Sequence, residues 1–376
     1  MTEEGANSAM KKVNVKLQTM KRYLVRLMIA TVVATGIFTA CEKEENNSND
    51  NGNENNNGNG SDTTNNGKDT AIFGQFTAEE LQKINTIKTL YSSVQTNFSG
   101  GFFITIPTTT PSYTTGKVKN EVLQAGIDAI NLMRYIASVP ADVELSAEYS
   151  ELCQYGAVLL TAINKLSHTP EQPADMDKDF FDKGYKATSS SNLATLNSPS
   201  GSITLYMDDS DPSNVDRLGH RRWVLNPAMK KSGFGVGATK YGVMYAFDKS
   251  RNTVDYNYVT WPAQGVFPVS FINNNLAWSL TVNTKIYGTP DINKIAVTLK
   301  HLNSGKVWTF SNSTSSSTER LSTYFNVEKS GYGVNNCIIF RPEFDGSFKY
   351  RENDEFQVTV LGLDKELSYT VKLFTM

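Results

Sequence analysis

Asp216-Arg217-Leu218-Gly219-His220-Arg221-Arg222-Trp223-Val224-Leu225-Asn226-Pro227 runs on into Lys231-Ser232-Gly233-Phe234-Gly235-Val236-Gly237. A histidine stands in a polar turn beside two arginines and directly ahead of a Trp-Val-Leu apolar patch. Asn-Pro then stops the segment, and the glycine-rich alternation that follows suits a close-packed antiparallel strand. The chain contains only three histidines. His168 lies in Leu166-Ser167-His168-Thr169-Pro170, just after a strongly amphipathic helix. His168 and His220 both sit at element ends, which makes them a natural pair to converge on one cleft. His301 falls in a segment that reads as a separate domain and is set aside.

Upstream, the pattern is helical. Thr77-Ala78-Glu79-Glu80 is a capping box, and Leu81, Ile84, Ile87, Leu90, Tyr91 and Val94 follow at helical spacing. Gly100-Gly101 ends this helix, and a Thr/Pro-rich connector spans Pro107 to Pro111. Val122, Leu123, Ile127, Ile130, Met133, Ile136 and Ala137 mark a second helix that ends before Pro140. Ser146 caps a third, with Leu152, Tyr155, Leu159, Leu160, Ile163 and Leu166 as its stripe. Asn131, Arg134 and Cys153 on these helices read as packing or surface residues. Between Pro170 and Asp216 the chain reads as a polar loop region, interrupted by a short apolar segment from Ile203 to Met207.

Downstream, Gly233 to Ala238, Tyr241 to Phe247 and Tyr256 to Trp261 read as strands of a small sheet. Trp261-Pro262-Ala263-Gln264-Gly265 with Pro268 marks a boundary. Beyond it, seven strand-like segments recur from Ala277 to Phe374, with Asn303-Ser304-Gly305 as a hairpin turn. The fold class is therefore α+β, with helices and a small sheet followed by an all-β sandwich.

The N-terminal segment is a processing signal rather than part of the fold. Lys21-Arg22 precedes an apolar run from Leu27 to Phe38, which at about a dozen residues is too short to span a bilayer. Phe38-Thr39-Ala40-Cys41 resembles a bacterial lipobox in which Cys41 carries the lipid, although Phe38 stands where leucine is usual. Met20 is a plausible alternative start. Lys43-Glu44-Glu45 resembles the surface-export signal of Bacteroidetes lipoproteins. Asn46 to Asp69 has almost no apolar residue and reads as a flexible tether. The expected organisation is a signal peptide over 1–41, a tether over 42–70, a helix and connector over 71–116, an α+β domain over 117–268 and a β-sandwich over 269–376.

The formal net charge is −2, with Lys and Arg dispersed, so nucleic-acid binding has no electrostatic footprint. No nucleophile elbow, His-Glu-x-x-His helix or phosphate loop is present. Cys153 sits at a helix-stripe position, where a buried inert thiol is the expectation. A disulfide between Cys153 and Cys337 is left open by the sequence. Arg221 and Arg222 either fix an anion at the cleft mouth or, the favoured reading, pair with Asp208, Asp209 or Asp216.

The order of helix, Ser-His, polar loop, Gly-His-Arg, Asn-Pro and Gly-Phe-Gly strand resembles the CAP superfamily of cysteine-rich secretory, antigen 5 and pathogenesis-related-1 proteins. Its bacterial SCP-like extracellular branch is the nearest likeness, over residues 117–265. The resemblance implies an α-β-α sandwich, here followed by an immunoglobulin-like sandwich, with a cleft of two histidines and two acids that binds zinc in several members. His168 and His220 match the two histidines. The first acid lies in a Gly-Glu-Asn triplet, which here reads Ser190-Ser191-Asn192, so the glutamate is absent. Asp208 or Asp209 falls in the region of the second. Ser191, Asn192 and Arg221 would support the cleft.

Two imidazoles make an incomplete zinc site, which normally takes three or four protein ligands. An aspartate from 208 or 209 would complete it. No cofactor is required, and zinc would bind weakly. The expected role is binding of a small apolar or glycan ligand, or of an extracellular macromolecule, by a lipid-anchored protein at the outer-membrane surface. Hydrolysis using His168, His220 and Asp209 is the alternative, and a structural lipoprotein with a vestigial cleft is the third reading.

Overall fold

Thr77 opens the first helix as the capping box predicts. Its hydroxyl accepts from the Glu80 backbone N–H and the Glu80 carboxylate accepts from the Thr77 N–H at 2.8 Å. The structure, a computed structural model, describes residues 76–196, 198–252 and 255–376. The signal, Cys41, the tether and residues 71–75 lie outside the described residues.

Helix α1 (Ala78–Ser93) buries Ile84 and Ile87. A short hairpin, β1 (Phe103–Thr105) and β2 (Lys117–Val118), leads to α2 (Asn120–Ile136). After β3 (Glu144–Leu145) comes α3 (Ala147–Ile163), capped by the Ser146 hydroxyl. The face of α3 that becomes buried includes Ser150, Cys153, Gln154, Ala157 and Leu160. Leu166, placed on the stripe by its spacing, lies beyond the helix end and is exposed. Gln154 stands in this face because its amide donates to the Val236 carbonyl and accepts from the Val236 N–H, both at 2.8 Å. Glycine at 235 lets that strand lie on the helix, since a Cβ there would stand 1.9 Å from the Cys153 carbonyl oxygen.

The polar stretch between Pro170 and Asp216 is not the loop its composition suggests. It forms α4 (Lys178–Ser189), β4 (Ser191–Ala194) and α5 (Pro199–Asp208). Helix α4 turns an apolar face inward, with Gly184, Ala187 and Thr188 buried and Phe180 packed edge-on against Tyr155, ring centroids 4.7 Å apart. The Asp177 cap and the Lys178–Asp182 and Asp179–Lys183 pairs one turn apart, each at 2.6 Å, add to it. Each such pair adds only about 0.3–0.5 kcal/mol. The Ile203–Met207 run is helical because Ser198 and Pro199 supply a cap and a first-turn proline.

Helix α6 (Gly219–Val224) carries the Gly-His-Arg motif. Strands β5 (Lys231–Ser232), β6 (Phe234–Val236) and β7 (Gly242–Tyr245) follow, and β4, β7 and β6 form a three-stranded antiparallel sheet.

The remaining strands make two sheets. One contains β8 (Tyr258–Trp261), β10 (Trp278–Val282), β14 (Cys337–Arg341) and β13 (Tyr324–Glu328), in that spatial order. The other runs β12 (Val307–Phe310), β11 (Ala296–His301), β15 (Glu355–Leu361), β16 (Leu367–Phe374) and β9 (Gly265–Pro268). Trp278 meets Phe356 and Phe340 meets Phe310 across the two sheets. The expected boundary after Pro268 therefore falls inside this layer. β8 and β9 belong to its two sheets, because Tyr258–Trp261 pairs with β10 and Gly265–Pro268 with β16 rather than with the β4–β7–β6 sheet.

Everything after Gly67 belongs to one unit, and a single apolar cluster runs from Ile84 and Ile130 through Trp261 to Phe374. Cys153 and Cys337 are both free and buried. No helix among the described residues is long and apolar enough to cross a membrane.

Candidate functional site

His220 is placed by a short acidic bracket. Asp209 terminates α5 in the left-handed conformation, and its side chain then turns to the start of α6. Oδ1 accepts from His220 Nδ1 at 2.7 Å, while Oδ2 accepts from the backbone N–H groups of His220 at 2.9 Å and Arg221 at 3.3 Å. The Asp209 side chain is 1 % exposed and that of His220 22 %. Asp209 thus does for α6 what its own N-cap, Leu218, has no side chain to do. Burial works to lower the His220 pKa, but the Asp209 charge and hydrogen bond outweigh it, so the imidazole titrates above its ordinary value. Tyr206 lies parallel to the ring, with centroids 5.4 Å apart.

His168 reaches the same place from the loop after α3. Its Nδ1 lies 2.8 Å from the Thr188 carbonyl oxygen. A carbonyl can only accept, so Nδ1 carries the proton and Nε2 remains an acceptor. His168 and His220 both line one cavity of about 390 Å³, together with Ser191 and Asn192 of β4. The convergence expected of the two histidines is therefore present. Asn192 Nδ2 donates to the His220 carbonyl at 3.0 Å, and the Tyr206 hydroxyl donates to the Asn192 carbonyl at 3.1 Å. The same cavity is lined by Ser189, Asn214, Phe247 and Tyr332, which the sequence reading did not select, and by Arg217 and Trp223, which lie in the opening motif but carry no site role there. Trp223 and Phe247 stack with centroids 4.4 Å apart, and Phe247 is 46 % exposed. An apolar residue just past a Gly-rich strand, as Phe247 is, was the one available signal. Tyr332 gave none.

The two arginines do not pair with carboxylates as expected. Arg221 is fully buried and its guanidinium donates to the carbonyls of Met207, Asp208 and Ala277 at 2.5–2.8 Å. Arg222 donates to the carbonyls of Arg217, Ser330 and Val334. Five N–H donors on a planar fork let each arginine bind several converging carbonyls at once. The remaining cleft-support residue, Ser191, has its hydroxyl 3.7 Å from Cys153 Sγ.

These commitments bear on zinc. Both Asp209 oxygens are occupied by His220 and by backbone N–H groups, and Asp209 stands behind the His220 ring on its Nδ1 side. Asp208 does not line the cavity. Burial raises its pKa against the opposing charges of Arg221 and Arg320, and its Oδ1 is buried without a partner. No cluster of three or more His, Cys, Asp or Glu able to hold a metal occurs among the described residues. The donor set therefore does not fit a resident zinc ion.

What the arrangement offers is an aromatic wall, several uncharged donors and acceptors, and an imidazole whose proton is fixed on the buried side. Scans of family models, curated proteins and solved structures find no match to this chain.

Proposed function

We propose that this chain is a lipid-anchored protein of the bacterial envelope, displayed at the outer-membrane surface, that binds a neutral glycan in the His168–His220 cleft. The observation that carries this reading is the stacked Trp223–Phe247 pair set beside Ser189, Ser191, Asn214 and His168. Sugars present apolar C–H faces that lie on aromatic rings, while their hydroxyls exchange hydrogen bonds with amide, hydroxyl and imidazole groups. The meeting of His168 and His220 on one cavity supports the CAP resemblance, with an immunoglobulin-like sandwich following it. The Leu27–Phe38 run and Cys41 support the anchor.

Saturation-transfer NMR on the soluble chain with chitotriose, cellotriose and mannotriose tests the ligand class. Transfer to sugar ring protons that weakens in Phe247→Ala is expected, and no transfer from any of the three sinks the glycan reading. For the anchor, Cys41→Ala should move the protein out of the membrane fraction.

A second reading, hydrolysis, is favoured by the Asp209–His220 pair alone. Asp209 holds the proton on Nδ1 and leaves Nε2 as a general base for water. Turnover of a bound ligand that His220→Ala abolishes, with binding retained, would select it.

A further inference from the structure

The cleft is not closed by the segment that carries its histidines. Tyr332 belongs to the loop 329–336 that joins β13 to β14, a hairpin of the C-terminal sheets, yet it lines the same cavity as His168 and His220. Three features hold the loop there. Arg222 Nη2 donates to the Ser330 carbonyl at 2.7 Å and to the Val334 carbonyl at 2.5 Å, spanning 108 and 112 residues of sequence. The Arg222 guanidinium also lies over the Tyr332 ring, 5.2 Å from its centroid. Gly219, at the start of α6, leaves room for the ring, since a Cβ there would stand 2.8 Å from Tyr332 Cδ1.

Within the loop, Tyr332 and Val334 form an antiparallel bridge around Gly333, whose φ is +79°. That conformation suits glycine, and a Cβ at 333 would also press on Asn226 at 2.9 Å. The base of the hairpin is tied to the same segment of chain, as Asn326 Nδ2 donates to the Asp216 carbonyl at 2.7 Å. Arg222 is buried, so its bonds to the loop form away from competing water.

We propose that the β13–β14 loop is a specificity arm of the cleft, with Tyr332 as a ligand-contacting wall and Arg222 as the latch that sets it. The ligand class follows from the reading of the cleft as a glycan site, on which this inference rests. Tyr332 adds a third aromatic ring to the cavity that Trp223 and Phe247 line and so gives a ligand a second ring to lie on, and the arm therefore selects a chain of at least two sugar units over a monosaccharide.

The test has two arms on the full chain. In the first, diethyl pyrocarbonate modification of His220 is followed by peptide mass spectrometry, without any ligand. Tyr332→Ala should raise the His220 rate constant, and Tyr332→Phe, which keeps the ring, should leave it at the wild-type value. Equal rates in all three proteins overturn the arm as a wall. In the second, calorimetry compares chitotriose, cellotriose and mannotriose with their monosaccharides. Tyr332→Ala should weaken trisaccharide binding about five- to tenfold, the scale of one lost aromatic contact, and leave monosaccharide binding unchanged. Trisaccharide affinity unchanged in Tyr332→Ala overturns the ligand contact. Failure of the wild type to bind any sugar, with the His220 rate still raised in Tyr332→Ala, rejects the glycan reading while upholding the wall.

Discussion

Asp209 and His220 are joined twice, once from carboxylate to imidazole at 2.7 Å and once from carboxylate to backbone N–H at 2.9 Å. One buried acid thereby fixes a ring orientation, a tautomer and the start of a helix. Each of these would change together if the acid were lost.

Asp209→Asn should bring the His220 pKa down, because burial, which lowers it, would no longer be offset by a negative charge. In the wild type the folded pKa is raised, so the associated stability is fully present below the ordinary histidine value. It is lost as pH rises through the folded value. Urea unfolding at a series of pH values should show this decline in the wild type and not in Asp209→Asn. An NMR titration of His220 gives the pKa directly, and an unshifted value in the variant would contradict the assignment.

Arg134 is fully buried and its guanidinium donates to the carbonyls of Pro140, Val224, Asn226 and Met229 at 2.7–3.3 Å. It ties α2 to the end of the Gly-His-Arg segment. Arg134→Met would strand these acceptors, and a loss of roughly 3 kcal/mol or more in unfolding free energy is expected. Chemical denaturation measures it, and a change under about 1 kcal/mol would show that water replaces the clamp.

The thiols of Cys153 and Cys337 should be inert in the native protein. Burial pushes the Cys153 thiol up to about 12 and raises that of Cys337. Iodoacetamide at mildly alkaline pH should label neither until denaturant is added, when both should react without a reductant. Labelling that requires a reductant would reveal a disulfide.

Zinc titration of the chain should give no stoichiometric site, because Asp209 is committed to His220 and Asp208 lies outside the cavity. Tight binding that His168→Ala/His220→Ala removes would mean that the cleft can rearrange to supply a third ligand.

The local grammar of this chain is plain in its residues. The Thr77 capping box, the Ser146 cap, the buried face of α2 and most strands from Trp278 to Phe374 follow from spacing and turn chemistry within a few residues. The histidine pair was legible for the same reason, since both histidines stand at element ends. Helix α4 was not, because its apolar face (Phe180, Gly184, Ala187) is short and set among Lys and Asp residues that make the segment polar on average. Helix α5 was hidden by its short apolar run, which by itself is compatible with either helix or strand.

Tertiary structure alone decided the partners. Arg221 and Arg222 were expected to meet acids near them in sequence, and instead they bind backbone carbonyls, some nearby (Met207, Asp208, Arg217) and others brought from Ala277 ahead of β10 and from the β13–β14 loop. Tyr256 to Trp261 reads by sequence distance as part of the small sheet and Gly265 with Pro268 as a boundary, yet Tyr258–Trp261 pairs with β10 and Gly265–Pro268 with β16, because strand pairing is settled by which edges and apolar faces are available. Sequence thus determined where elements start, stop and turn an apolar side inward, which depends on neighbours a few residues away. Packing determined that Tyr332 would line the same cavity as His220, since only burial of long-range apolar surface and pairing of buried donors can bring together residues more than a hundred positions apart.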